Sequence, residues 1–268
     1  QRLAERRAAS GARLKPNVRT QEAHVTEEPS KSLDVLGIRP VAEAFSHATK
    51  AAIDGASSFL GRICLPAAEE FGQLLQDKVR SWRAKNAVAI VCEAQARFHK
   101  HMVSADAHAH PRLVAAVLEH GAWSDDKTAQ EMWAGLLASS CSKDGRDESN
   151  LIFINLLAQL TGVQVRVLNY GCEKVEKEVI AHGLIVPKQS LFLDVPTLQM
   201  IAGTADIPRL DRELDNLRGL ELIHHGFLPQ SATVDITPSA LALNLYVRCQ
   251  GFTGSPADYF KLIPVTKL

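Results

Sequence analysis

With 268 residues, 46% of them hydrophobic, the chain carries enough apolar material for two modest domains or one large one with a real core. Lys and Arg balance Asp and Glu at 30 each, so no whole-chain field draws the protein onto nucleic acid or anionic lipid, and any such contact has to be local. There is no apolar run of spanning length and no secretory block at the start, and the five dispersed cysteines (Cys64, Cys92, Cys141, Cys172, Cys249) include no Cys-x-x-Cys pair, which fits a reducing cytoplasm. The sequence begins at Gln1 rather than Met, so an upstream signal or anchor remains compatible with it.

Residues 1–32 are rich in Arg, Ala, Glu and Ser, hold Pro16 and Pro29, and are expected to form a mobile arm. Residues 33–63 lean helical, with Ala48, Ala52, Gly55 and Ala56 as small residues on one face. Packing against another helix or a second subunit is favoured there over insertion into a bilayer interface, because only Lys50 and Arg62 are basic between positions 41 and 63.

Residues 65–98 are expected to be the element around which the chain is organised. Pro66 suits a first helical position and Glu69 and Glu70 its first turn. Phe71, Leu74, Leu75, Val79, Trp82, Ile90, Ala94 and Phe98 recur at three-to-four-residue intervals, so the spacing predicts one amphipathic helix of roughly 50 Å. Pro111 then opens a helix stopped by Gly121, and Ser124 is expected to cap a third whose stripe is Ala129, Met132, Trp133, Leu136 and Leu137. The aromatic pair Trp82 and Trp133, with Leu136 and Leu137, is expected in the core between the long helix and the third. The polar run at 142–149 is the expected linker, closing a helical domain of residues 33–145.

The remainder, residues 146–268, changes character. The expected order is an apolar helix at 150–160, a helix opened by a Thr161/Gln164 capping box and ended by Gly171, a charged helix at 174–182, and a short helix at 197–201. A further helix begins at Pro208 and ends at Gly219, strands follow at 220–223 and 233–236, and Thr237 with Pro238 starts a last helix. Three helices, a strand, a loop, a strand and a helix give the order of a winged helix-turn-helix. The expected fold class is therefore mainly α, with a helical domain followed by a winged-helix-like α+β domain.

Signals for chemistry are weak. Asp106, His108 and His110, with His99 and His101 nearby, form the densest set of metal-ligand types, but the succession of strands that such a motif needs in a β/α barrel is missing, and a polar turn is the better reading. No phosphate loop, nucleophile elbow or zinc helix is present, so no catalytic residue, metal or cofactor is assigned. Arg209, Arg212 and Arg218 are the DNA-contact candidates on a winged-helix recognition helix, but three carboxylates on the same helix (Asp211, Glu213, Asp215) make it a poor match for a duplex.

Two blocks carry a family resemblance. Pro66, Ala67, Glu69, Gly72 and Leu75 lead into Asp77, Lys78, Arg80, Trp82 and Arg83, and a later helix carries Trp133, Leu136, Leu137 and Ala138. The combination resembles the bacterial abortive infection alpha (Abi-alpha) family over about residues 33–251, most tightly in the first half. The resemblance implies a role in phage defence and supplies no catalytic residue. Gly135 departs from the pattern, standing where relatives often carry a polar residue such as Asn, and any role of that polar group is absent here. Asp77, Lys78, Arg80, Arg83 and Lys85, within or beside the first block, are the candidate contact surface for a protein partner or for self-association. The expectation is a cytoplasmic, non-enzymatic defence protein that acts through protein contacts as a homo-oligomer. The alternatives are a winged-helix DNA-binding regulator and a membrane-active effector using residues 33–63.

Overall fold

The computed structural model describes residues 47–76, 81–101, 106–229 and 231–262. The expected arm at 1–32, the start of the 33–63 segment, and Asp77, Lys78 and Arg80 lie outside these residues. The described chain is mainly helical, with three small antiparallel strand pairs.

The first helices are α1 (His47–Ile63), α2 (Leu65–Gln76) and α3 (Ser81–Lys100). The single helix expected over 65–98 is thus described as two, and α2 and α3 pack against each other as well as against α1. A straight helix rises about 1.5 Å per residue, so two halves separated by positions 77–80 would not touch. The apolar period misled because each piece buries its own stripe: Ala67, Ala68 and Phe71 in α2, and Ala84, Ala87, Ile90, Val91, Ala94 and Phe98 in α3. The apolar face of α1, with Ile53, Ala56, Phe59, Leu60 and Ile63, is also buried.

The central element is instead the third expected helix. After α4 (Pro111–Gly121) comes α5 (Lys127–Ser139), in which every residue from Met132 to Ser139 is buried. A helix apolar on all sides belongs inside the molecule, and α5 packs against α3, α4 and the later helices α7 and α10. Its cap is Asp126, whose side chain accepts from the Ala129 N–H at 3.1 Å, in place of the expected Ser124. Ser124 is used differently, accepting from Trp133 Nε1 at 3.2 Å. Strands β1 (His108–Ala109) and β2 (Cys141–Ser142) pair antiparallel and tie the start of α4 to the end of α5.

The expected linker at 142–149 is a bonded loop. Asp144 accepts from the Arg146 N–H at 3.2 Å, Asp147 from the Ser149 N–H at 2.8 Å, and Gly145 has φ +65°. Asn150, which is buried, donates to Ser139 Oγ and Ser140 Oγ at 3.0 and 3.1 Å. Buried residues on both sides of this loop belong to one contiguous core that runs from Ile53 to Cys249.

Beyond it lie α6 (Leu151–Leu157) and α7 (Gly162–Lys174), which opens on the expected Thr161/Gln164 capping box. Gly171 does not end α7. A Cβ there would stand 3.1 Å from the carbonyl oxygen of Ile236, so the glycine admits a neighbouring backbone, and the helix continues to Lys174. The charged helix expected at 174–182 is replaced by strand β3 (Lys177–Val179), paired with β4 (Ile185–Pro187) across a turn in which His182 and Gly183 have φ of 66° and 77°. Next come β5 (Phe192–Asp194), α8 (Val195–Ala202), α9 (Ile207–Gly219) and β6 (Thr233–Asp235), with β6 pairing to β5. The strand expected at 220–223 is a turn, with Glu221 at φ 58° and a lone bridge from Ile223 to Pro238. Thr237 and Pro238 do not start the next helix either. Thr237 accepts from the Leu191 N–H at 2.8 Å, while Ser239 caps α10 (Ala240–Cys249), and α11 (Pro256–Tyr259) follows.

Gly135 explains its own departure from the family pattern. A Cβ at this position would lie 1.7 Å from the carbonyl oxygen of Cys249 and 2.2 Å from its carbon, so the backbones of α5 and α10 meet where no larger side chain fits. Gly135→Ala is expected to separate the two helices and lower stability by about 3 kcal/mol, read as a fall in Tm with the helical circular dichroism retained below the transition.

All five cysteines are free. Burial pushes the Cys141 thiol up to about 12 and those of Cys172 and Cys249 upward as well, because a buried thiolate has no water to solvate it. In the unfolded chain these thiols ionise near the ordinary value of 9.0. Between there and about 12 the unfolded state therefore holds fewer protons than the folded one, and stability falls as pH rises. The expected outcome is a Tm that declines through this alkaline window, and no labelling of Cys141, Cys172 or Cys249 by a thiol reagent near neutral pH until denaturant is added.

Candidate contact surface

The candidate site lies at the N-terminal end of α3 and the loop between α4 and α5. The inward stripe of α3 begins at Ala84, so Trp82 and Arg83 precede it. Trp82 is 44% exposed, which corrects its expected place in the core. Trp133, Leu136 and Leu137, by contrast, are buried.

Loop 122–126 is pinned from beneath. Asn86, itself buried, donates to the Ala122 carbonyl at 3.2 Å and accepts from Gln130 Nε2 at 3.2 Å, and Gln130 also donates to the Ser124 carbonyl at 2.8 Å. With Trp133 held on Ser124 as well, the loop has little freedom, and it presents Trp123 outward at 60% exposure. The Trp82 and Trp123 rings are 6.2 Å apart at 52°, and the Arg83 guanidinium lies 4.2 Å from the centre of the Trp123 ring. Three residues from two elements thus form one exposed aromatic and cationic cluster.

An open cleft of about 320 Å³ adjoins it, running from Trp123 past Asp125, Asp126 and Gly162 to Arg166 and Arg209. Arg166 holds its floor together. The guanidinium pairs with Asp126 and donates to the carbonyls of Ala202 and, at 3.3 Å, Ile201, so one side chain joins the cap of α5 to α7 and to the end of α8. Behind Arg209, Glu213 accepts from Thr161 Oγ1 at 2.7 Å and, at 3.5 Å, from Arg209 Nε.

Of the expected contact residues, Arg83 is part of the cluster and Lys85 is exposed on the same helix, while Asp77, Lys78 and Arg80 lie outside the described residues. The three arginines proposed for DNA are exposed but do not form a basic row. Arg218 is paired with Asp215 at 2.7 Å, Arg209 faces Glu213 and lines the cleft, and Arg212 stands apart as an exposed residue of α9.

The histidines are dispersed among separate tasks. His110 caps α4 by accepting from the Arg112 N–H at 3.3 Å, and His101 lies 3.0 Å from the Gln250 carbonyl. Among the described residues no group of three metal-ligand types comes together. His225, itself exposed, contacts the buried Asp235 at 3.1 Å.

Sequence reasoning missed Trp123. Its one signal was a tryptophan two residues after the helix-ending Gly121 and outside every apolar stripe.

Fold and surface together define a mainly helical protein with an exposed aromatic and cationic face beside an open cleft. The model of the abortive infection alpha family matches residues 89–239, more than half of the chain, and the chain belongs to that family. The match contains α5, Trp123 and the whole cleft, and begins after the block at 66–87 on which the sequence resemblance partly rested. Neither a curated protein nor a solved structure matched the chain.

Because Arg166 serves three partners across three elements, Arg166→Met is expected to lower stability by about 2 kcal/mol through the carbonyls and carboxylate it leaves without a donor. Asp126→Asn keeps the helix cap and is expected to cost about 1 kcal/mol; both are read by urea denaturation.

Proposed function

We propose that the protein serves phage defence by abortive infection in the bacterial cytoplasm and acts through protein contacts rather than by catalysis. Family membership supports the first part. The single observation that carries the second is the exposed Trp82–Trp123 pair with Arg83 stacked on it, since tryptophan and arginine are the residues most enriched where partners bind tightly.

Residues 146–268 are read as a winged-helix-like second contact module. The order α7, the β3–β4 pair, β5, α8, α9 and β6 supports this reading, with β5 paired to β6 and bridges from Ile223 to Pro238 and from Phe227 to Val234 in the place of a wing. Duplex binding is less well supported, because α9 neutralises part of its own positive charge through Arg218–Asp215 and Arg209–Glu213. A membrane-active role for α1 is also less well supported, because its apolar face is already packed within the core. No helix among the described residues is long and apolar enough to cross a membrane.

The test is phage challenge of cells carrying the intact gene or a Trp82→Ala/Trp123→Ala version made at the same level. The intact gene is expected to protect and the double variant to lose most of that protection. Full protection by the double variant would remove the contact reading.

A further inference from the structure

We propose that the Trp82–Trp123 surface receives a second copy of this chain across a two-fold axis, with Arg83 of each copy meeting Asp125 of the other. The inference rests on the contact reading above and deepens it by naming the partner.

The argument starts from charges left unpaired. Most ions around the cleft are satisfied inside the molecule: Asp126 by Arg166, Lys127 by Glu131 at 3.8 Å, and Arg209 by Glu213. Two are not. Arg83 is stacked on Trp123, and its Nε is buried without an acceptor. Asp125, two residues beyond Trp123, is exposed and makes no ion pair or side-chain hydrogen bond among the described residues. One cation and one anion without an ion pair among the described residues therefore flank the same exposed indole without reaching each other.

A mainly acidic partner would satisfy Arg83 and repel Asp125, and a mainly basic partner would do the reverse. A second copy related by a two-fold axis satisfies both at once, because in such a contact residue i meets j while j meets i. The tryptophans then supply the apolar centre that the two ion pairs enclose and screen from water. With 30 basic and 30 acidic residues in the chain, no net charge keeps the copies apart.

The same pairing gives a discriminating experiment. In Arg83→Asp the contact would set aspartate against Asp125, and in Asp125→Arg it would set arginine against Arg83, so each variant alone is expected to associate about tenfold or more weakly than the native chain. Mixed together, the two variants restore both pairs, one chain offering two acids and the other two bases.

Sedimentation velocity of the full chain over a wide concentration range is expected to show a concentration-dependent dimer for the native protein. Arg83→Asp, Asp125→Arg and Trp123→Ala are each expected to be monomers with native circular dichroism, and an equimolar mixture of the two charge variants is expected to form a dimer. A native chain that stays monomeric, a Trp123→Ala variant that dimerises normally, or a mixture that stays monomeric would overturn the proposal. Phage challenge separates its failure from that of the broader reading. A monomeric native chain whose Trp123→Ala variant still loses protection uses the surface for a foreign protein, whereas a dimeric chain whose Trp123→Ala variant still protects leaves self-association standing without a defence role.

Discussion

The close approach of α5 and α10 at Gly135 is the constraint on which the rest of the structure depends. The carbonyl of Cys249 occupies the space a side chain would need, and the same carbonyl accepts from Arg97 Nη1 of α3 at 2.7 Å. Three helices therefore meet at one backbone oxygen. With α10 that near, α5 is enclosed on all sides, and its residues from Met132 to Ser139 need to be apolar or bonded internally. The two serines in and just after this stretch comply: Ser139 and Ser140 both donate to the Leu136 carbonyl and accept from Asn150.

Each end of α5 is held by a buried asparagine, and this converts packing into a presented surface. At the C-terminal end Asn150 secures the loop after β2. At the N-terminal end Asn86 and Gln130 secure residues 122–124, with the Trp133 indole bonded to Ser124 from within. Trp133 and Trp123 thus take opposite sides of one short loop, the first as core and the second as surface. A tryptophan so mounted loses little further freedom on binding, which favours contact through it.

Charge is managed locally, as the balanced composition requires. Arg166 and Asp126 are used for architecture, Arg209 and Arg218 are turned toward carboxylates of their own helix, and few ions near the cleft remain available to another molecule. The cysteines show the same economy of reactivity: burial raises their thiols, so they act as small apolar side chains.

Several local features were legible in the sequence because their causes are local. The Thr161/Gln164 capping box and the α4 limits at Pro111 and Gly121 need only neighbouring residues, and the mainly helical class follows from apolar period. Long-range facts were not. The stripe through 65–98 has the same period whether it serves one helix or two that fold together, so burial against α1 and α4 decided that question. Gly171 and Gly135 look alike as helix-weakening residues, yet each marks a second backbone arriving from far along the chain, Ile236 in one case and Cys249 in the other. Trp82 and Trp123 lie 41 positions apart, and only the tertiary structure could bring their rings together beside Arg83. Sequence by itself determined the mainly helical class and how several helices begin, because capping and periodicity act within a few residues; which tryptophan is core and which is surface was decided by packing, because it depends on what the rest of the chain places over each ring.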